Sequence, residues 1–419
     1  GNFTAVPNMA AQIVDADGNS VAAYAALSEA VDAAKDGETI KLLANVDLDA
    51  AIKLTKSITI DGQSKYTIKA TQKLTTLDGT KEKGGMFFRK SGNGTMTFLN
   101  VTLDGNGVSK IFLNEGGAGE VVFDGVTSIN GGGIAYGSGI HISGGGSHAT
   151  IRNSTLTGSA GTESGNYWDA NDLWVGGNVY VTVENSTIGT VFVNSAPTAT
   201  ATNGVVHGQL TITGENTKIT YLSGEEESAE KLDKFGNNGS LIKIDSGYVE
   251  TIYDMGSYEI SGGTFKTEVK PEWCAFGFEP KDNGNGTYGV KAAEGNAYYT
   301  DASGKIVYGS LTDLLSNSAT SGRTIKLLSD VMVDAEFIFV NSTKTIDLNG
   351  KTLEITGKLF GFGKIIDSTD GKGLLKIGDM AGSQLPAENG YLAVKDSDGY
   401  RLYQYTLAHY LTGYHKVDD

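Results

Sequence analysis

Apolar and polar residues alternate in short runs through the middle of this chain. Four of the runs are variants of one phrase: MTFLNVTLDG from Met96, VVFDGVTSIN from Val121, ATIRNSTLTG from Ala149 and VTVENSTIGT from Val181. Aligned on Phe98, Phe123, Ile151 and Val183, they recur at intervals of 25, 28 and 32 residues. Alternation with period two reads as strand, with every second side chain on the same face. A strand-length phrase returning at this interval, followed by a turn and not a long helix, predicts stacked β-coils. No coil of such a stack buries its inward side chains alone, so neighbours must close the core. A second strand is expected ahead of each phrase, at 86–90, 110–114, 139–143 and 172–176, giving two strands per period.

Elsewhere the pattern changes. Residues 20–36 carry Ala23, Leu27, Ala30, Val31 and Ala34 at three-and-four spacing, which predicts a helix stopped by Gly37. The segment returns late in the chain. Residues 307–331 parallel it, and TIKLL occurs at 39–43 and again at 324–328, an offset of 285. A helix-then-coils module therefore starts twice, each helix suited to plug the open end of a stack. The expected division is a first module over 1–295 and a shorter second one over 296–419. The first is followed through coils at Leu210, Leu241 and Tyr258 and closes on a DNGNG hairpin; the second ends in a hairpin from Tyr391.

Composition narrows the picture. Glycine is abundant at 58 residues and proline scarce at 5, and the glycines cluster between apolar runs, as tight turns require. The formal net charge is -16. A chain this acidic has no basic stripe to neutralise phosphates, which speaks against nucleic acid and anionic membrane as partners. The single cysteine, Cys274, excludes an internal disulfide. No apolar run is long enough to span a bilayer.

The NSTΩxG phrase (Ω aromatic or aliphatic) with its glycine-rich turns resembles the right-handed parallel β-helix, or pectin-lyase-like, superfamily. The opening ALSEAVDAAKDGETIKLL pattern from Ala26, the GGTF step at Gly262–Phe265 and the DNGNGTYGV close are more specific. They are similar to β-helix modules of large bacterial cell-surface proteins described as adhesins. The likeness covers about residues 20–395 and rests on structural motifs. It implies an all-β solenoid with an N-terminal capping helix, and an extracellular location, secreted or attached to the cell surface.

Enzymes on that fold imply where chemistry would sit: lyases use stacked carboxylates holding calcium with a basic residue beside them, and hydrolases use clustered aspartates. One residue past the aligned apolar position stand Leu99, Asp124, Arg152 and Glu184. Alternation points this column outward, so Asp124, Arg152 and Glu184 are expected to neighbour each other. They read either as a cation or uronate site with Arg152 as base, or as a solvent-facing charge ladder, the plainer reading. The column of Asp104 (Ile129, Thr157, Gly189) forms no carboxylate cluster. His141 and His148 lack companions for a metal site and read as a strand and a turn residue, and His207 has no acidic neighbours.

The segment 161–178, which stretches the period to 32, concentrates Tyr167, Trp168, Asp169, Asn171, Asp172 and Trp174. Aromatic platforms beside carboxylate and amide groups suit sugar recognition, and exposed loops on a rigid scaffold are where binding tends to reside. Calcium held by Asp169 and Asp172 is a further option for this loop; no other cofactor is expected. The alternative is a loop folded back to cover the coil flank. Asn100, Asn153 and Asn185 are NxS/T sequons in one repeat column. They read as corner residues in the left-handed region, with Gly125 supplying the same freedom.

The leading expectation is a non-catalytic, monomeric, adhesin-like protein binding host or microbial glycans or cell-surface proteins through exposed loops. The runner-up is a polysaccharide lyase or glycoside hydrolase with an atypical site. The third is a passive structural stalk.

Overall fold

The computed structural model describes residues 8–75, 78–79, 82–83, 85–114, 117, 119–132, 137–143, 146–159, 170–176, 179–194, 208–224, 240–253, 256–380 and 391–404. The chain forms two compact units, Gly1–Lys291 and Ala292–Asp419.

The first unit is all-β apart from short helical turns, and most of its strands run parallel in curled, solenoid-like sheets. One wall is an 11-stranded sheet. Its strands include Met96–Leu99, Val121–Asp124, His148–Arg152 and Tyr180–Glu184, stacked in register. A second wall carries Thr102–Val108, Thr127–Gly131, Thr155–Thr157 and Thr187–Val193. The repeated phrase is thus two strands split by a corner. Asn100, Asn153 and Asn185 sit at that corner with φ of 48°, 52° and 46°, and Gly125 with 64°. This left-handed backbone is the one that asparagine and glycine tolerate. The corner is tied to its neighbours by buried serines: Val126 N donates to Ser154 Oγ, and Ser154 N to Ser186 Oγ, both at 3.0 Å.

A third wall differs from the expectation of two strands per period. Ile52–Leu54, Met86–Lys90, Lys110–Asn114, Gly137–Ile142 and Ala170–Val175 pair in parallel, so the early coils have three strands each. From Thr187–Val193 onward one unbroken strand serves the second and third walls together, pairing with Thr155–Thr157 at its start and Leu173–Val175 at its end. The walls enclose one interior. Phe98 and Phe123 of the first wall stack at 5.3 Å and 4°, and Phe112 of the third meets both edge-on at 5.7 and 5.2 Å.

The helix expected over 20–36 is shorter. Ser20–Tyr24 is a strand, antiparallel to Ala11–Val14, which pairs antiparallel with Thr39–Leu42. Only Leu27–Ala33 is helical, burying Leu27, Ala30 and Val31. The physical reason is the open edge of Thr39–Leu42: a hairpin satisfies its backbone, whereas a longer helix would leave it bare.

The second unit repeats this start. Ala297–Thr300 and Ile306–Gly309 form a hairpin, and Ala297–Thr300 runs antiparallel to Thr324–Leu327. The helix Leu311–Ser316 intervenes, capped by Ser310, whose Oγ accepts from Asp313 N at 3.1 Å. Parallel coils follow, and the hairpin of Tyr391–Lys395 and Tyr400–Gln404 closes the stack against Leu374–Ile377.

Candidate functional site

The outer face of the first wall presents three columns of side chains. Along each strand the inward residues (Ala149 and Ile151, Val181 and Val183, Leu210 and Ile212) are buried, which fixes the residues between them as outward. Strand register lines up Asp124, Arg152, Glu184 and Thr213 in one column and Val122, Thr150, Thr182 and Thr211 in the next. His148, Tyr180 and Gln209 form the third. Successive members are about 4.8 Å apart, the spacing of neighbouring strands.

Asp124 and Arg152 are joined: Arg152 Nε donates to Asp124 Oδ2 at 2.9 Å, and Asn153 Nδ2 to Oδ1 at 3.0 Å. Partial burial raises the Asp124 pKa, but these hydrogen bonds and the guanidinium charge outweigh it and hold the carboxyl below its ordinary range. Glu184 is the next residue of the column, and its backbone carbonyl accepts from Asn153 N at 3.2 Å. Register therefore brings all three charged residues into one line. A guanidinium held by a carboxylate is poorly suited to act as a base, since the pair favours its protonated form. Among the described residues no three His, Cys, Asp or Glu side chains come together as metal ligands.

The third column lies just ahead of the repeated phrase. His148 is the first residue of a strand, not a turn residue, and its ring stacks on that of Tyr180 at 4.9 Å and 15°. Both are exposed, Tyr180 by 36%. The signal was available: His148 and Tyr180 stand three residues before Ile151 and Val183, so the phrase alignment extended backward aligns them.

The insertion divides differently from the expectation of one exposed loop. Tyr167, Trp168 and Asp169 lie outside the described residues. Asn171, Asp172 and Trp174 belong to the strand Ala170–Val175, where Asn171 and Asp172 are 1% and 3% exposed. Asp172 Oδ1 accepts from Ser159 N at 3.0 Å, and Oδ2 from Thr190 N and Oγ1 at 2.8 and 3.0 Å. Burial raises its pKa, against the lowering effect of those donors. With its oxygens occupied inside the protein, Asp172 has none directed to a surface ligand. Trp174 is half-buried between His141, stacked at 5.2 Å and 11°, and Phe192, edge-on at 4.8 Å. His141 is pushed down to about 3 by burial, with the Lys110 charge adding to it, and its Nδ1 meets Ser138 Oγ at 3.2 Å. Two histidine–aromatic stacks thus lie on the same two coils, one on the third wall and one on the first.

No protein-family model matches this chain, and no curated protein or solved structure matches it either.

Proposed function

We propose that the chain is a right-handed parallel β-helix of the bacterial cell surface, adhesin-like, that binds a glycan without transforming it. The binding face is the outer side of the first wall around His148, Tyr180, Thr182 and Arg152. The observation that carries this reading is the exposed His148–Tyr180 stack beside a row of threonine hydroxyls and a fixed guanidinium. A stacked pair of rings offers an apolar platform for a sugar face, and hydroxyl and charged groups within one or two strands reach the ring substituents. The platform rests on strands whose inward residues are fully packed, so it is organised before a ligand arrives. An extracellular location and a non-catalytic role follow the resemblance of the coil motifs to surface modules, and the pairing of Arg152 with Asp124 favours recognition over base catalysis.

A glycan-array screen followed by calorimetric titration tests this. Tyr180→Ala should weaken binding of any hit about tenfold or more, a loss of roughly 1.4 kcal/mol, with the circular dichroism spectrum unchanged. Depolymerisation of a uronate or neutral polysaccharide, abolished in Arg152→Ala, would replace this reading with that of a lyase or hydrolase. Absence of binding across the array would leave the role of a structural stalk.

A further inference from the structure

Inside the first unit two polar side chains lie where hydrophobic packing does not require them. Lys90 and Asn114 are register partners on adjacent parallel strands of the third wall, 2% and 0% exposed. Their column continues with Leu54 on one side and Ile142 and Val175 on the other, all buried. Among the described residues, the Lys90 ammonium has a single neutral acceptor, the Gly92 carbonyl at 3.0 Å, and no carboxylate. Burial lowers its pKa, which increases the share of the free amine. Asn114 donates through Nδ2 to Ser147 Oγ at 2.8 Å, and Ser147 donates to Gly117 O at 2.6 Å. Among the described residues the buried Asn114 Oδ1 has no hydrogen-bond partner.

Each of these features is unfavourable. A buried ammonium without a counter-charge loses its hydration, and a buried amide oxygen without a donor forfeits the hydrogen bonds that it makes to water. Their adjacency is what matters. Strands about 4.8 Å apart set the Asn114 carboxamide beside the lysine stem on the neighbouring strand, in surroundings that favour the free amine more than water does.

We propose that Lys90 and Asn114 condense to an intramolecular isopeptide bond that ties successive coils together. The neutral Lys90 amine attacks Asn114 Cγ, so the Nζ–Cγ bond forms and the Cγ–Nδ2 bond breaks. One Nζ proton passes to the departing Nδ2, and ammonia leaves. The proton that the ammonium gave up beforehand goes to solvent, and the step consumes no oxidant or reductant. The product is a neutral secondary amide, so the buried charge disappears. This proposal does not rest on the glycan-binding reading.

Intact-mass spectrometry of the denatured full chain tests it. The expected mass is that of the sequence less one ammonia. Tryptic digestion should yield a branched peptide joining residues 90–110 to 111–152, because an acylated Lys90 is not cleaved. An Asn-Gly succinimide loses the same mass, so the chain carrying Lys90→Arg is measured alongside. Return to the full sequence mass in that variant, with the branched peptide gone, supports the bond. A wild-type chain at the full sequence mass overturns it, as does an ammonia loss that persists in Lys90→Arg. If the variant does not fold, the branched peptide of the wild-type chain decides: its presence supports the bond and its absence overturns it.

Discussion

Lys56 and Lys344 perform one task in the two units. Lys56 Nζ donates to the carbonyls of Val31, Asp32 and Ala34 at 3.2, 2.6 and 2.8 Å. Lys344 Nζ donates to those of Leu314, Leu315 and Asn317, the first and last at 3.3 and 2.7 Å. Each lysine comes from the first parallel coil and closes the C-terminal end of the preceding helix, where carbonyls lack intrahelical partners and the dipole favours a cation. The duplication thus extends from TIKLL to a cap built from residues far apart in sequence.

Lys344 is nearly buried and Lys56 half-buried. Lys344→Met should therefore destabilise the second unit by about 1–3 kcal/mol, the loss expected when buried carbonyls lose a charged donor, and Lys56→Met the first unit by less. Urea denaturation followed by fluorescence checks the order; equal stability of the Lys344 variant and the wild type would contradict the capping role.

Asp172 gives a pH signature. Its folded pKa is raised, so over the window from the ordinary aspartate range up to that raised value the folded state binds more protons than the unfolded state. Stability from this group falls as pH rises through the window. Asp172→Asn removes the titration. The stability of the variant relative to wild type should therefore increase with pH across that window and then level off, as measured by denaturation at successive pH values.

Asp124 behaves in the opposite sense. Its folded pKa is lowered, so its contribution is present at neutral pH and is lost as pH falls through the folded value. The Arg152 side chain is 47% exposed, and Arg152→Ala should cost well under about 1 kcal/mol at neutral pH. The difference between the two proteins should narrow in acid. A neutral-pH loss of several kcal/mol would show that the column is part of the scaffold and not a surface ladder.

The corner residues predict a substitution pattern. Asn185 has φ of 46°, so Asn185→Gly should be close to neutral. Asn185→Val should cost roughly 1–2 kcal/mol from left-handed strain alone. Thermal unfolding of both variants gives the comparison, and equal losses would point to the asparagine side chain in place of the backbone.

The repeat made the coil phrase, its corners and the charged column legible, because register follows from periodicity when one face must be buried. Other features depend on distant partners. Nothing local to Asn171 and Asp172 announces their burial; the donors to Asp172 are Ser159 and Thr190, on either side of it in sequence. The Ser20–Tyr24 strand was masked by alanines that suit either period, and only the open edge of the first coil decides between them. The His148–Tyr180 stack lies one residue ahead of the phrase, where the sequence no longer repeats and only strand register pairs the two rings.

The third wall merges with the second where Thr187–Val193 runs through without a turn, and in the coils before it the chain lengthens mainly at the junction between those two walls. Thr127, Thr155 and Thr187 stay aligned, as do Phe112, Ile140 and Leu173, while the chain between them lengthens from one coil to the next. That junction is a place where the protein accepts new sequence without shifting either ladder. Descendants of this chain can vary there while inheriting their walls unchanged.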